Sequence, residues 1–241
     1  MKGIILAGGK GTRLSPCTKV ISKTMLPVYN RPMIYYPLNT LLKAGITDIL
    51  IITNPDNNDD YIEQLGDGSE FNARFTYIEQ VVPRGIAEAF MIGADFIGDD
   101  DVTMILGDNI FVDDVTADIQ SFKKGAIIFA KEVPDPGRFG IVEMNETGHA
   151  ISIEEKPTEP KSNLAITGLY ICDNRVAKIA KQVTPSARGE LEVTDVCKAY
   201  MELGELEVRM IHKDWIDAGT FDSLLEAQII AKEQLQSLMI I

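Results

Sequence analysis

The chain has 241 residues, 45% hydrophobic and 24% charged, which supplies a full-sized core and excludes wholesale disorder. Its 36 Asp and Glu against 23 Lys and Arg give a net charge of −13, which excludes a general nucleic-acid binder needing a basic face. No run approaches the ~18 apolar residues of a membrane span. Three cysteines without CxxC spacing, Cys17, Cys172 and Cys197, read as free thiols of a cytoplasmic protein.

In chain order, the short β-branched runs Ile4–Ala7, Asp48–Thr53, Phe75–Ile78 and Val102–Leu106 read as strands buried on both faces. The first is too short for a signal-peptide core. Between them, helices are expected over Met33–Ala44 (Pro32 before it, Gly45 after it), Asn58–Leu65 and Gly85–Phe96. Strand-helix alternation predicts an α/β fold with a doubly wound, mostly parallel sheet. The second half reads differently. A hairpin is expected from Phe139–Met144 and Ala150–Glu154 around the turn Asn145-Glu-Thr-Gly148. A strand at Ile166–Cys172, helices near Asn174–Gln182 and Glu192–Leu203, and a strand at Leu206–Ile211 follow, which makes the sheet mixed. Phe221–Ser237 should be a helix capped by Thr220, with an apolar stripe of Leu224, Ala227, Ala231, Leu235 and Leu238. That stripe and the greasy end suit either packing back on the domain or a subunit contact. With no repeat or linker, a single domain over 1–241 is expected, its halves falling at 1–110 and 111–241.

Charge is unevenly spread. Seven Lys and Arg and no acid precede Asp48, leaving −20 for the rest of the chain. Lys10, Arg13, Lys19 and Lys23 interleave with glycines and prolines, a local positive funnel suited to a small polyanion. Ligands of open α/β sheets bind beyond the carboxyl ends of the strands. That places the loop Gly8-Gly9-Lys10-Gly11-Thr12-Arg13-Leu14, the segment Gln80–Ala87 and Leu106-Gly107-Asp108-Asn109 together. The loop fails the dinucleotide fingerprint, having Leu14 where the third glycine belongs. It also fails the Walker pattern, since Gly11 follows Lys10. What remains is an amide-rich turn that is either only a turn or a phosphate cradle.

The longer string Gly8-Gly9-x-Gly11-Thr12-Arg13-Leu14-x-Pro16-x-Thr18, continuing through Lys23 to Leu26-Pro27-Val28, resembles the sugar-1-phosphate nucleotidylyltransferases. Ser22–Tyr29 and Pro32–Leu38 are similar to the members that use glucose 1-phosphate and dTTP. So are Leu106–Asn109, Glu154–Lys161, Ile166–Tyr170, Arg188–Asp195 and Trp215–Thr220. The resemblance covers residues 1 to about 230 in order. It implies a Rossmann-like, GT-A-like nucleotidyltransferase fold and Mg²⁺-dependent synthesis of dTDP-glucose for deoxysugar and surface-polysaccharide assembly. It also implies a homo-oligomer, dimeric or tetrameric, with no nucleic-acid or membrane partner, and a nucleotide-binding half ahead of a sugar-binding half.

By that resemblance, Arg13, Lys23 and Asp108 are catalytic. Arg13 meets the triphosphate, Lys23 joins the α-phosphate to the sugar phosphate, and Asp108 and Asp217 hold the metal. Gly9, Gly11 and Thr12 line the phosphates, Leu6 and Gly8 the deoxyribose, and Gln80 and Gly85 the thymine. Asn109, Gly140, Glu155 and Ile166 are implied for the sugar, and Lys156, Tyr170 and Arg188 for its phosphate. Without the resemblance Asp108 reads equally as a helix cap, Glu155-Lys156 as a solvated strand end and Tyr170 as a core aromatic. His149 and His212 lie outside every motif. Phe139 stands where the family often has Tyr, Arg84 adds a cation beside the base segment, and the chain stops short of the helical tail of longer relatives. Other readings stay open: a UTP-using or other hexose-1-phosphate nucleotidylyltransferase, and a non-catalytic nucleotide-sugar sensor on the same fold.

Overall fold

The computed structural model describes residues 1–236 and 238–241. The chain forms two compact units, each discontinuous in sequence. Residues 1–83, 103–121 and 213–241 make the first, and residues 84–102 and 122–212 the second.

In the first unit, Lys2–Leu6 pairs in parallel with Asp48–Thr53, which pairs in parallel with Arg74–Glu79. Val102–Leu106 flanks Lys2–Leu6 on its other side. Ile4, Ile5 and the run Ile49–Ile52 are fully buried, as a strand covered on both faces requires. The helix expected at Met33 begins later, over Tyr35–Lys43. Pro32 is instead taken up in a two-residue ribbon with Pro27, and Pro37 is the proline of the helix's first turn, where a missing N–H costs nothing. Asn58–Leu65 is helical as expected.

A second ribbon has no counterpart in the sequence reading. Asn109–Phe111 pairs antiparallel with Trp215–Asp217, setting Asp217 opposite Asn109. The last helix, Phe221–Ile230, opens with a capping box between Thr220 and Ser223 and relaxes into a π turn over Ala231–Leu235. Ser237, the expected final helical residue, lies outside the described residues. Ala227, Ala231 and Leu235 are buried with Val28, Met33, Tyr36, Ile110 and Ile216, while Leu224 and Leu238 pack at the edge. The stripe therefore packs back on its own unit. The opposite face presents Phe221, Leu225 and Ile229 to the outside.

The second unit is largely antiparallel. Ala126–Glu132, a strand absent from the sequence reading, pairs antiparallel with Leu164–Cys172 and parallel with Leu206–Met210. The expected hairpin is present as Gly140–Met144 and Ala150–Glu155, joined to Leu164–Cys172 through Ile141 and Ala165. The helix expected over Gly85–Phe96 is instead two short ones, Glu88–Ile92 and Ala94–Ile97, separated by Gly93. It starts late because residues 84–87 run against Leu191, with Leu191 N donating to Arg84 O and Ala87 N to Leu191 O. The strands are thus mixed in direction, with parallel pairs dominating the first unit and one parallel pair, Ala126–Glu132 with Leu206–Met210, in the second. No helix among the described residues is long and apolar enough to cross a membrane.

Candidate active site

The first unit gathers the cations and acids that the sequence holds far apart. Lys23 Nζ pairs with Asp108 Oδ2 through a short contact. The ribbon brings Asp217 to the same place, close enough that its carboxyl and that of Asp108 act on each other's charge. Arg13 reaches them from the glycine loop. A Cβ on Gly219 would lie 2.8 Å from Arg13 Nη2 and 2.9 Å from Asp217 Oδ1, so that glycine leaves room for both. Arg13, Lys23, Asp108 and Asp217 therefore form one charged cluster.

Electrostatics divides the two acids. Burial raises the Asp108 carboxyl, but the Lys23 charge and hydrogen bond outweigh it, and its pKa is lowered overall. Asp217 is pushed up to about 6, first by burial and then by the like charge of Asp108, against the opposing pull of Lys23 and Arg13. Burial disfavours the Lys23 ammonium, yet Asp108 and then Asp217 raise its pKa overall. One carboxylate has its counter-ion and the other lacks a full one. This is the donor chemistry a hard divalent cation completes, using one or two carboxylates plus phosphate oxygens and water. Among the described residues no group of three or more His, Cys, Asp or Glu could cage a metal alone. Asp108 and Asp217 fit an ion shared with a bound phosphate chain.

Asp108 is further fixed by its neighbour. Asn109 Nδ2 donates to Asp108 Oδ1 at 3.0 Å, and Trp215 Nε1 donates to Asn109 Oδ1 at 2.7 Å. The glycine loop leaves the strand at Leu6, and Thr12 opens its first helical turn. Gly11 takes φ +60°, and a Cβ there would meet Thr18 Cγ2 at 2.8 Å and Lys23 Cβ at 3.0 Å. Gly9 lies over the Lys23 ammonium, 3.7 Å from a Cβ built on it. Gly8 lies against Gln80, whose Oε1 would be 3.1 Å from a Gly8 Cβ, with Asn54 Oδ1 at 3.3 Å. Gln80 is buried and its backbone N–H donates to Thr53 O at 2.7 Å.

The second unit holds the other group. Glu155, opposite Gly140 in the hairpin, accepts from Thr194 Oγ1 at 3.1 Å and from Arg188 Nη1 at 3.2 Å. A Cβ on Gly140 would meet Thr194 Cγ2 at 2.6 Å and Glu155 Oε2 at 3.2 Å, so a larger residue there would part them. Arg188 also pairs with Glu190 at 2.7 Å and with Glu192 at 3.8 Å. Burial, then the like charge of Glu192, raises the Glu155 carboxyl overall, although Lys156, Thr194 and Arg188 oppose it. Lys156 adopts φ +42°, strained for a residue other than glycine, and its ammonium lies 3.9 Å from Glu155. Tyr170 and Ile166 are buried in the strand Leu164–Cys172, and burial pushes the Tyr170 phenol well up. Gly85, φ +117°, faces the Leu191 backbone so closely that a Cβ would come 2.3 Å from Leu191 O. The Arg84 cation is committed to Glu88, with Nε donating to Oε1 at 2.7 Å and the backbone N–H to Oε2 at 3.0 Å.

The residues implied for metal and nucleotide thus fall in the first unit, apart from Gly85. Those implied for the sugar phosphate fall in the second, apart from Asn109. Sequence reasoning missed Trp215 as the hydrogen-bond partner of Asn109, and Thr194, Glu190 and Glu192 as partners of Glu155 and Arg188. Each lies inside a quoted motif, but only folding reveals what it touches.

An amide-rich turn, two cations, one buried carboxylate and one half-buried carboxylate in one cluster are the equipment of phosphoryl-transfer chemistry. The model of the nucleotidyl transferase family matches residues 2–234. A glucose-1-phosphate thymidylyltransferase of Neisseria meningitidis is 52% identical over 235 residues, 94% of this chain and 81% of that one. The enzyme of the same name from Mycolicibacterium smegmatis is 49% identical over 232 residues, again 94% and 81% of the two chains. A solved glucose-1-phosphate thymidylyltransferase from Bacillus anthracis, in complex with sucrose, superposes with a TM-score of 0.92 at 46% identity, covering 97% of this chain and 96% of that one. The chain belongs to the nucleotidyl transferase family and, within it, to the glucose-1-phosphate thymidylyltransferases.

Proposed function

We propose that the chain transfers a thymidylyl group from dTTP to α-D-glucose 1-phosphate, giving dTDP-glucose and pyrophosphate. The observation that carries this reading is the single cluster of Arg13, Lys23, Asp108 and Asp217 in a chain half identical to enzymes of that name. A phosphate oxygen of the sugar phosphate attacks the α-phosphorus, and the bond to the bridging oxygen of pyrophosphate breaks. That nucleophile is already ionised near neutral pH, so no general base is required, consistent with His149 and His212 lying outside the motifs.

Arg13 neutralises the triphosphate and the developing pyrophosphate with its planar fork. Lys23, held by Asp108, is placed to turn its ammonium onto the α-phosphate and screen it from the incoming phosphate. Asp108 and Asp217 would hold Mg²⁺, which when bound supplies further charge neutralisation on the phosphate oxygens. The amides of Gly9, Gly11 and Thr12 cradle phosphates, Leu6 and Gly8 border the deoxyribose, and Gln80 reads the thymine edge with both donor and acceptor. Gly85 contributes its backbone to the base. Gly140, Glu155 and Ile166 hold the sugar with Asn109, and Lys156, Tyr170 and Arg188 hold its phosphate. Arg188 then exchanges carboxylate partners for the substrate's anion.

The test is pyrophosphate release from dTTP, UTP, CTP, ATP and GTP against a panel of sugar 1-phosphates with Mg²⁺. Fastest turnover is expected for dTTP with glucose 1-phosphate. A better rate with another nucleotide or sugar would replace those substrates, and no release from any pair would overturn the enzymatic reading.

A further inference from the structure

Lys23 carries its charge on a flexible four-carbon stem, so the accuracy of that charge depends on how firmly its backbone is held. Three side chains around it are not used by the chemistry above. Tyr61, in the helix Asn58–Leu65, is fully buried and sends its hydroxyl to both neighbours of Lys23. Ser22 Oγ and Thr24 Oγ1 each lie 2.5 Å from Tyr61 Oη, and Tyr61 Oη lies 3.5 Å from Ala7 O. One proton arrangement satisfies all three contacts at once, with the two hydroxyls donating to the phenol oxygen and the phenol donating its single proton to the carbonyl.

We infer that the Tyr61 hydroxyl is the positioning group for Lys23, clamping the turn on either side of it to the end of the first strand. The clamp reaches further through Thr24. Its backbone O accepts from Ile34 N at 2.8 Å, and its methyl abuts Gly107, where a Cβ would come within 2.8 Å of Thr24 Cγ2. Gly107 immediately precedes Asp108, the partner of Lys23. One buried hydroxyl thus sets the turn that carries the cation and, through Thr24, the strand end that carries its counter-ion. A phenylalanine in its place would fill the same apolar space and fix neither. When a phosphate draws Lys23 away from Asp108, the clamp keeps the backbone from following, so the ammonium moves only by its side-chain torsions.

This inference rests on the role proposed for Lys23, and two readouts separate them. In the unmodified chain and in Tyr61→Phe, kcat and KM are measured with dTTP and glucose 1-phosphate. The acylation rate of Lys23 by acetic anhydride is followed in parallel by peptide mass spectrometry, which needs no activity. Tyr61→Phe is expected to lower kcat about tenfold, as small misplacements of a reacting group do, with both KM values within twofold. Acylation of Lys23 should rise at least threefold relative to the other lysines. Thr24→Val should give the same defect, and the double variant should be no worse than the poorer single one. These two substitutions also serve in turn if either fails to fold. Unchanged kcat and unchanged Lys23 labelling in an active enzyme, whatever happens to the melting temperature, would overturn the inference. So would multiplying effects in the double variant. Faster labelling in a chain without transferase activity would leave the clamp standing and remove the catalytic reading instead.

Discussion

Asp217 is the residue on which stability and chemistry pull in opposite directions. Its carboxyl is raised to about 6 by burial and then by Asp108. In the folded chain it therefore keeps a proton at pH values where the unfolded chain, near 3.8, has lost it. The stability linked to that proton is fully present below the unfolded value and is lost as the pH rises through about 6. Asp217→Asn should stabilise the ligand-free protein at pH 8 by roughly 2 kcal/mol and flatten its stability between pH 4 and 7. On the proposed function, the same change should cut Mg²⁺-dependent turnover by at least about 100-fold, because a phosphate-bound ion would lose a ligand. Thermal melts across pH, with rate measurements on the same variant, check both halves. A destabilised variant at pH 8 would contradict the charge argument. Spacing and periodicity do not announce this pairing, which only the family resemblance implies. Asp108 reads at a strand end without help, whereas Asp217 lies 109 residues further on and meets it only through the ribbon of Trp215–Asp217 with Asn109–Phe111.

Elements differ in how plainly their residues declare them. Asp48–Thr53 and Val102–Leu106 fall where their continuous β-branched runs put them, and Asn58–Leu65 ends where Gly66 stops it. The three-residue ribbon strands are too short to show a period, and Ala126–Glu132 is set by partners from distant segments. Tyr61 is legible only as a core aromatic, since its ring obeys the helix's apolar stripe and its hydroxyl acts out of register with it. The strand Leu164–Cys172 contains the converse case. Thr167 Oγ1 is buried and, among the described residues, has no hydrogen-bond partner, in the stretch where the register with Ala126–Glu132 breaks. Thr167→Val is expected to be neutral or to add up to about 1 kcal/mol, because it removes an unsatisfied hydroxyl at constant volume. Denaturant unfolding measures it. A loss of more than about 1 kcal/mol would mean that the hydroxyl is satisfied in solution.

Over the whole molecule, seven cations ahead of the first acid sit on a chain of net charge −13. Exposed Lys10 lies in the glycine loop beside the cluster. Lys10→Glu should lower kcat/KM for dTTP about three- to tenfold at low salt and leave kcat unchanged, by weakening attraction of the triphosphate. The difference should shrink at 0.5 M NaCl, where the screening length falls to about 4 Å. A salt-independent defect would assign Lys10 a direct contact instead.

The first unit also recruits its parts from both ends of the chain, residues 1–83 and 213–241 among them. A growing polypeptide carries Lys23 and Asp108 out of the ribosome well before Asp217. The cluster of Arg13, Lys23, Asp108 and Asp217 therefore cannot assemble until the ribbon strand Trp215–Asp217 has been made, so the charges gathered early in the chain wait, incompletely paired, for a segment made much later.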